Sequence, residues 1–343
     1  MEFIMPTTKC SRIYEELLNR IRTGVYPVNS RFPSEYLLAE EFKVNKKTAN
    51  KAVDLLVNDG LLQRKTGGAG TVVIQSASFP AGYIAFIAEP RPYQMRILTG
   101  LQQGALEYGY AVLVFFPSHP DCLQLMDSLA SSRVSGFVLC SHFGNFAPRS
   151  TLPCVTVDHD AASRFPGCDT VSTDNFLGGK LIMDEVIRRG HRELAVYSSG
   201  RGLVDRTLRI DGFLESMRNA GVTVPSERIF YGVHYDDAAA VDALERIRQQ
   251  LPGVSIIVCD ADDAAVSMLK ALRQLKLTIP VTSFGNTLNG ADRPAAVEQF
   301  PELQGSAACR RLMHNIAGKT IGSGYRELTA PKLVNVEEIP IIG

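Results

Sequence analysis

The first residues in the chain whose types and spacing indicate a binding chemistry are Lys46, Lys47, Asn50 and Lys51. At helical spacing they share one face, and Lys47 and Lys51 form a like-charged i,i+4 pair that costs an isolated helix about 0.2–0.5 kcal/mol. An anion lying alongside would remove that cost, and the phosphate backbone of a nucleic acid is such an anion. A solvated helix face is the alternative for any one of these lysines, so the neighbouring elements must decide.

The helix that would present these residues has ends that can be read from the sequence. Asn45 can cap its first turn, Val44 and Ala49 stand at the positions of a hydrophobic staple, and Gly60 is suited to end it. The opposite face is apolar at helical spacing, through Ala49, Ala52, Val53, Leu56 and Val57. The segment therefore predicts a capped amphipathic helix with one packed face and one charged face.

A predicted hairpin follows this helix directly. Leu61 and Leu62 begin its first strand, and the β-branched residues 71–74 form the return strand. Its basic residues and its glycines, which let backbone approach another surface, are Arg64, Lys65, Gly67, Gly68 and Gly70. With a short helix and a tight turn from Pro33 onward, this order predicts a winged helix-turn-helix that binds double-stranded DNA.

Residues 9–74 resemble the DNA-binding domain of the GntR family of bacterial transcription regulators. The shared pattern is a first helix, a Pro-Ser-Glu opening of the second, a valine-led recognition helix and a Gly-Leu-Leu entry into the wing. Here it lies at Ser11 to Arg22, Pro33 to Glu35, Val44 to Asn58 and Gly60 to Leu62. The resemblance implies DNA contacts from Ser34, Tyr36, Asn45, Lys46, Lys47, Asn50, Lys51, Lys65 and Gly68.

Three of these positions depart from the family pattern, because Tyr36, Lys46 and Asn50 stand where arginines are usual. Asparagine suits a two-point contact with adenine, whereas arginine prefers guanine. We therefore expect Asn50 to shift the preferred operator toward A·T at one base pair.

Composition indicates a globular protein of two or three domains, with 343 residues of which 45% are hydrophobic. The net charge is zero, but residues 1–75 carry 11 Lys and Arg against 8 Asp and Glu, a modest positive excess. We expect a cytoplasmic protein, since residues 1–6 are too short for a signal peptide and no apolar run approaches the ~18–20 residues that span a membrane. The seven cysteines contain no C-x-x-C pair, so buried free thiols and no metal site are expected.

Residues 75–81 are small and polar, as in a linker, and separate a predicted DNA-binding domain (1–74) from a larger one (82–343). In the larger part, short β-branched runs alternate with amphipathic helices, which predicts doubly wound parallel sheets with helices on both faces. Strands are predicted at 83–88, 111–116, 136–140, 154–157, 194–197, 228–231, 255–259, 281–284 and 296–299. Helices are predicted at 95–108, 122–131, 175–189, 208–219, 238–250, 263–275 and 303–317.

From Gly82 to about Pro340 the chain resembles the effector-binding domain of the LacI family, itself similar to periplasmic sugar-binding proteins. The resemblance rests on the order of residues 171–175, a Gly-His ending at 189–192, an arginine-led helix at 209–213 and an acidic turn at 260–265. A GntR-like head on this body is similar to the arabinose-type branch of GntR regulators. The resemblance implies an α/β, type I periplasmic-binding-protein-like body. Its subdomains would lie at about 82–173 with 287–320, and at about 174–286 with 321–343.

The same resemblance places an arginine and an aspartate of the second subdomain in the ligand pocket, at Arg209 and Asp262. Arginine offers only donors and aspartate only acceptors, so the pair suits vicinal hydroxyl groups, which both donate and accept. A surface ion pair is the alternative for Arg209, and a helix N-cap is the alternative for Asp262.

Further candidates follow predicted strands, because ligands bind at the carboxyl ends of parallel strands; solvated loop residues are the alternative. They are Glu89, Tyr93, Ser141, Asp158, His234 and Asn286. The chain has no tryptophan to stack against a sugar ring, which leaves a non-sugar effector open.

No phosphate-loop, serine-hydrolase or zinc-protease motif occurs, so we expect neither catalysis nor a cofactor. We expect a sequence-specific DNA-binding regulator, a homodimer released from its operator when a small sugar-like effector favours the closed cleft. The alternatives are a solute-binding protein, disfavoured by the DNA-binding head and the missing export signal, and a regulator whose body binds a non-sugar ligand or a protein partner.

Overall fold

The computed structural model describes residues 9–65, 70–74, 81–117, 134–140, 152–157, 167–222, 228–233, 236–290, 293–318 and 320–342. The chain divides into two compact units, Met1–Gly82 and Tyr83–Gly343, which we call the head and the body.

Three amphipathic helices form the head: α1 (Lys9–Arg22), α2 (Glu35–Glu41) and α3 (Lys46–Asn58). Their apolar faces meet in a single cluster with the strands of the hairpin. The predicted inward face of α3 is confirmed, since Ala49, Ala52, Val53 and Leu56 are all fully buried. Burial of this stripe fixes which face of α3 is left to solvent.

The ends of α3 lie where the sequence predicts them. The side chain of Asn45 accepts a hydrogen bond from the Thr48 backbone N–H at 2.8 Å, as an N-cap. Gly60 has φ +73°. Its N–H donates to the Val57 carbonyl, and the Leu61 N–H donates to the Leu56 carbonyl, each at 3.0 Å. Because this closing pattern needs a left-handed residue, glycine suits the position.

The wing is a three-stranded antiparallel sheet in the order β1–β3–β2, made of β1 (Arg31–Phe32), β2 (Leu62–Arg64) and β3 (Thr71–Val73). Arg64 pairs with Thr71 in its register, and the Lys65 N–H donates to the Gly70 carbonyl at 2.9 Å. The predicted hairpin is therefore present, while Gly67 and Gly68 lie outside the described residues.

The body contains two six-stranded sheets, each forming the centre of one subdomain. The first has the order β14–β8–β7–β6–β4–β5 and is parallel from β14 to β4. Its strands are β4 (Gly82–Ile87), β5 (Tyr110–Phe115), β6 (Val134–Cys140), β7 (Cys154–Val157), β8 (Asp169–Thr173) and β14 (Arg326–Thr329). The second has the order β10–β9–β11–β12–β13–β15 and is parallel except at β15. Its strands are β9 (Leu194–Ser198), β10 (Ile229–Tyr231), β11 (Ile256–Cys259), β12 (Val281–Gly285), β13 (Ala295–Glu298) and β15 (Lys332–Val334).

Six described helices cover these sheets, followed by a short 3₁₀ turn at Val336–Glu338. They are α4 (Pro92–Glu107), α5 (Asn175–Arg188), α6 (Val204–Asn219), α7 (Asp237–Gln250), α8 (Asp262–Gln274) and α9 (Pro301–Gly318). Helices α4 and α9 pack on the first sheet, α5 and α6 on one face of the second, and α7 and α8 on its other face. The doubly wound arrangement predicted from the alternation of elements is thus confirmed for the second sheet. The helix predicted at 122–131 lies outside the described residues.

Glycines bring two helix pairs into close approach. A Cβ on Gly179 of α5 would meet the Arg209 backbone of α6, and one on Gly212 would meet Phe176. Between α4 and α9, Gly100 and Gly305 stand in the same relation to the partner backbone. Neither pair could accept a side chain here without moving apart.

The chain passes between the sheets three times, after β8, after β13 and after β14. Two assignments made from the sequence are therefore wrong: residues 295–298 belong to the second sheet, through pairing with β12, and residues 326–329 belong to the first, through pairing with β8. Local periodicity identifies a strand but carries no information on which sheet it joins, and here the chain crosses to the first sheet only after β13 and returns to the second only after β14.

Four cysteines, Cys140, Cys154, Cys259 and Cys309, are buried free thiols, which confirms that expectation for them. Among the described helices, none is both long enough and apolar enough to span a membrane.

Candidate nucleic-acid interface and ligand cleft

The solvent face of α3 carries the cations that the sequence places there. Lys46, Lys47 and Lys51 are all exposed, and Lys46 and Lys47 occupy the first turn. The α3 N-terminus adds its own partial positive charge, since its first N–H groups lack helical partners. This face therefore presents concentrated positive charge on a rigid element.

Asn50 lies on the same helix but its amide is engaged within the head. Its Nδ2 donates to Asp54 at 3.1 Å, and its Oδ1 accepts from Arg64 Nη2 at 2.9 Å. Arg64 Nη2 also lies 2.7 Å from Asp54 and 3.4 Å from Glu35. An adenine contact from Asn50 would have to break these bonds, so the structure does not favour that expectation.

The other predicted DNA contacts are distributed between α2 and the wing. Ser34 caps α2, its Oγ accepting from the Leu37 N–H at 3.3 Å; Tyr36 is 70% exposed, and Lys65 is exposed at the end of β2. Gly68 lies outside the described residues. Arg64 was not among the predicted contacts, although its basic side chain at the start of the wing was a visible signal.

In the body, an open cleft with a volume of about 110 Å³ lies between the two subdomains, at the carboxyl ends of strands. Its lining comes from the start of α4, from α6, from the start of α8, from the end of β12 and from the segment after β13. The polar residues are Arg91, Tyr93, Gln94, Asp205, Arg206, Arg209, Asp262, Asp263, Thr287 and Gln299.

Arg209, predicted as a ligand contact, lines this cleft and is only 3% exposed. Its three nitrogens donate to Asn175 at 2.7 Å, to the Asp260 carbonyl at 2.8 Å and to Gln299 at 3.2 Å. Its guanidinium carbon also lies 4.0 Å from the centre of the Phe284 ring. The plane of the guanidinium is thus fixed from several sides, as a rigid recognition group requires.

Asp262 also lines the cleft, and it is the first residue of α8 rather than its N-cap, which is Ala261. Its carboxylate accepts from the Thr287 N–H at 2.7 Å and from the hydroxyls of Thr287 and Ser283. Gly285, with φ +147°, leaves no side chain to collide with this carboxylate. Asp262 is thereby held against the end of β12.

A second arginine in the cleft was not predicted. Arg206, 8% exposed, forms ion pairs with Asp260 at 3.1 Å and with Asp263 at 2.9 Å. Burial raises the pKa of the Asp260 carboxyl, although the charge of Arg206 opposes this effect. Burial alone would lower the pKa of Arg206, but the charges of Asp260 and Asp263 outweigh it and raise that pKa. The sequence missed Arg206 because it lies in the polar first turn of α6, which has no apolar periodicity.

The remaining predicted effector residues differ in whether the structure places them in the lining of the cleft. Tyr93 lines the cleft and its hydroxyl bonds with Gln304. Glu89 and Asn286 are not among the lining residues; Asn286 instead donates to Glu298 at 2.5 Å and accepts from Arg293 at 2.8 Å. Ser141, Asp158 and His234 lie outside the described residues.

Hydrogen bonds connect the cleft to the crossings between the subdomains. Gln299, just after β13, accepts from Arg209 and also from the Thr173 hydroxyl at 3.1 Å. Gln304 Nε2 donates to Thr173 and to Tyr93, each at 3.0 Å. These hydrogen bonds connect Arg209 to residues at two crossings. Within the described residues, no group of His, Cys, Asp or Glu is arranged to hold a metal ion.

These two units match known families. The model of periplasmic binding proteins and the sugar-binding domain of the LacI family matches residues 87–330, and that of bacterial regulatory proteins of the gntR family matches residues 9–73. An arabinose metabolism transcriptional repressor of Halalkalibacterium halodurans is 24% identical over 302 residues, covering 80% of this chain and 78% of that protein. The HTH-type transcriptional repressor PurR of Serratia proteamaculans is 26% identical over 259 residues, covering 71% and 75%.

Among solved structures, the transcription regulator CcpA of Lactococcus lactis superposes with a TM-score of 0.65 at 18% identity, covering 74% of this chain and 97% of that chain. Fold and cleft thus define a transcription regulator with a ligand-binding body. The chain belongs to the family of periplasmic binding proteins and LacI-type sugar-binding domains, and it carries a gntR-family head. The matched relatives are regulators, which agrees with the expectation that the chain is not an enzyme.

Proposed function

We propose that the protein is a transcriptional repressor whose head binds a double-stranded DNA operator and whose body binds a small sugar-like effector that releases it. One observation carries this proposal: the exposed lysine face of α3 and a cleft lined by Arg209 and Asp262 occur in one chain. The first supplies charge for a phosphate backbone, and the second supplies donors and acceptors for hydroxyl groups.

The cleft supports a polyhydroxyl ligand because its polar groups are already oriented. Arg209 and Asp262 are each held by at least three hydrogen bonds. A ligand binding to such groups loses little affinity to the ordering of side chains. Tyr93 adds an aromatic surface at the opposite side of the cleft, from the first subdomain.

The effector would act by favouring a closed cleft. Residues from both subdomains line it, so a ligand that contacts both binds the closed form more tightly and shifts the population toward it. In a homodimer, that movement would change the separation of two heads on a pseudo-palindromic operator. Operator binding would place the protein in the cytoplasm.

A non-sugar effector is the second candidate. The specific observation in its favour is that Arg91 and Arg206 line the cleft together with Arg209, while the chain has no tryptophan for a sugar ring. Three guanidinium groups suit a ligand with acidic or planar acceptor groups as well as a neutral sugar.

A thermal-shift titration of the full chain tests both candidates. Pentoses including arabinose, hexoses, sugar phosphates and nucleosides are each added, since a ligand present at 100 times its Kd stabilises the folded state by about 2.7 kcal/mol. The same compounds are then added to complexes with labelled duplex, selected from randomised sequences. A stabilising compound that also lowers duplex affinity supports the proposal; stabilisation without any effect on duplex binding contradicts it.

A further inference from the structure

Arg64 occupies a corner of the head where three elements meet. Its Nη2 lies 2.7 Å from Asp54 of α3 and 3.4 Å from Glu35 of α2, and it donates to Asn50 at 2.9 Å. We propose that Arg64 is a base-reading residue of the DNA interface, presented by the wing strand β2 across the recognition helix, and that it selects a guanine. This inference rests on the proposed operator binding.

One nitrogen of the Arg64 guanidinium is held by neighbouring side chains, and the other two are available for a contact with DNA. All three contacts engage Nη2, and within the described part of the chain neither Nε nor Nη1 forms a hydrogen bond, while the side chain is 44% exposed. An arginine fixed in this way has already lost much of its rotamer freedom before DNA binds. The arrangement therefore provides preorganised donors beside the exposed face of α3.

The neighbouring side chains are less suited than Arg64 to a two-point contact with guanine. Lys46, Lys47 and Lys51 are compact charges on flexible stems, which suit phosphates better than a planar two-point contact. Both amide atoms of Asn50 are engaged, one of them by Arg64 itself. A guanidinium is the side-chain group best matched to the O6 and N7 acceptors of guanine.

Local charge favours a base edge over a phosphate. Arg64 is surrounded by the carboxylates of Glu35 and Asp54, so the three charged groups together carry a net charge of minus one. A phosphate approaching this corner would meet two carboxylates, whereas the guanine edge is a neutral pair of acceptors. Asp54 and Glu35 thus act as positioning residues that direct the arginine toward a base.

The test compares operators selected by the wild type and by Arg64→Lys from randomised duplexes, followed by anisotropy titration of duplexes that differ at one base pair. The wild type is expected to prefer guanine at one position by about 5- to 150-fold. Arg64→Lys keeps the charge but loses the fork, so that preference should disappear while other positions and the salt dependence stay unchanged. Arg218→Lys on the body, at a side chain 65% exposed, is the matched control.

A second variant keeps the test decisive if Arg64→Lys fails to fold. Asp54→Asn keeps the shape of the corner but weakens its hold on Arg64, and should reduce the guanine preference at the same base pair only. Unchanged selectivity in both variants overturns the inference, as does a uniform loss of affinity with a shallower salt dependence, which would indicate a phosphate contact. A wild type without preference for any duplex would instead overturn operator binding itself.

Discussion

The Nη1 of Arg96 on α4 lies 3.3 Å from Oε2 of Glu298 at the end of β13, so an ion pair joins the first subdomain to the second. Arg96 is also paired with Glu302, at 2.6 Å. Glu298 additionally accepts from Asn286 and from the Phe300 N–H. Because the pair lies beside the second crossing, it links the packing of α4 to the end of the opposite sheet.

Replacing Arg96 with methionine is expected to lower the free energy of unfolding of the full chain by about 1–3 kcal/mol, because Glu298, 6% exposed, loses a charged partner. Urea unfolding followed by circular dichroism measures this. Arg188→Met is the control: that side chain is 65% exposed, so water screens its ion pair and its loss should lower the stability less than the loss of Arg96 does. Equal effects of the two variants would contradict the role of Arg96.

Arg209→Lys is expected to abolish most of the response to effector and to leave operator affinity unchanged. Lysine keeps the charge but cannot donate to Asn175, Asp260 and Gln299 in the geometry of the guanidinium. Thermal shift with the effector and anisotropy with the operator measure the two activities. Arg218→Lys, on the same helix but far more exposed, should retain both. A parallel loss of both activities in Arg209→Lys would contradict the assignment of effector binding to the body.

Lys46→Ala is expected to do the reverse. Removing one phosphate contact should weaken binding to all duplexes and reduce the slope of log affinity against log salt by about 0.9. The thermal shift caused by the effector should not change, since Lys46 belongs to the head. Lys270→Ala, on the body, is the control for loss of a lysine. An unaltered salt slope would exclude a phosphate contact by Lys46.

The environment of His191 is expected to make the folded protein less stable in mild acid. Burial lowers the pKa of its imidazole, and its Nε2 donates to the Pro340 carbonyl at 3.0 Å. Because the unfolded chain binds this proton more readily, the folded state loses stability as pH falls below about 6.5, until the folded protein also takes up the proton. Urea midpoints at pH 7.5 and 5.5 should differ less in His191→Gln than in the wild type. His314→Gln, at an exposed position, should leave the difference unchanged; a wild-type-like difference in His191→Gln would refute the prediction.

Elements with strong periodicity could be predicted closely from the sequence. Helix α3 was predicted from Asn45 to Gly60 because cap, apolar stripe and terminating glycine all agree locally, and strand β7 (Cys154–Val157) matches its prediction residue for residue. Starts of helices were less accurate. Helix α4 begins at Pro92 rather than at 95, since proline at the first helical position is a signal that apolar periodicity does not contain.

The candidate site was predictable only in part. Arg209 and Asp262 reach the cleft as the resemblance implied. Gln299 was missed because its position depends on which strands adjoin at the crossings, and that is decided by packing between elements distant in sequence. The placement of Arg64 is also beyond local patterns, because its contacts with Glu35 and Asp54 span 29 and 10 positions of the chain.

Gly179 has a consequence for how this cleft can change. A Cβ on Gly179 would overlap the backbone of Arg209, so even one methyl group there would displace the helix that carries this arginine. Gly179→Ala would thus alter the width of the opening from a site that no effector touches. The response to a metabolite could therefore be tuned at a residue that does not contact it, because Gly179 helps to set the position of the helix that lines the cleft.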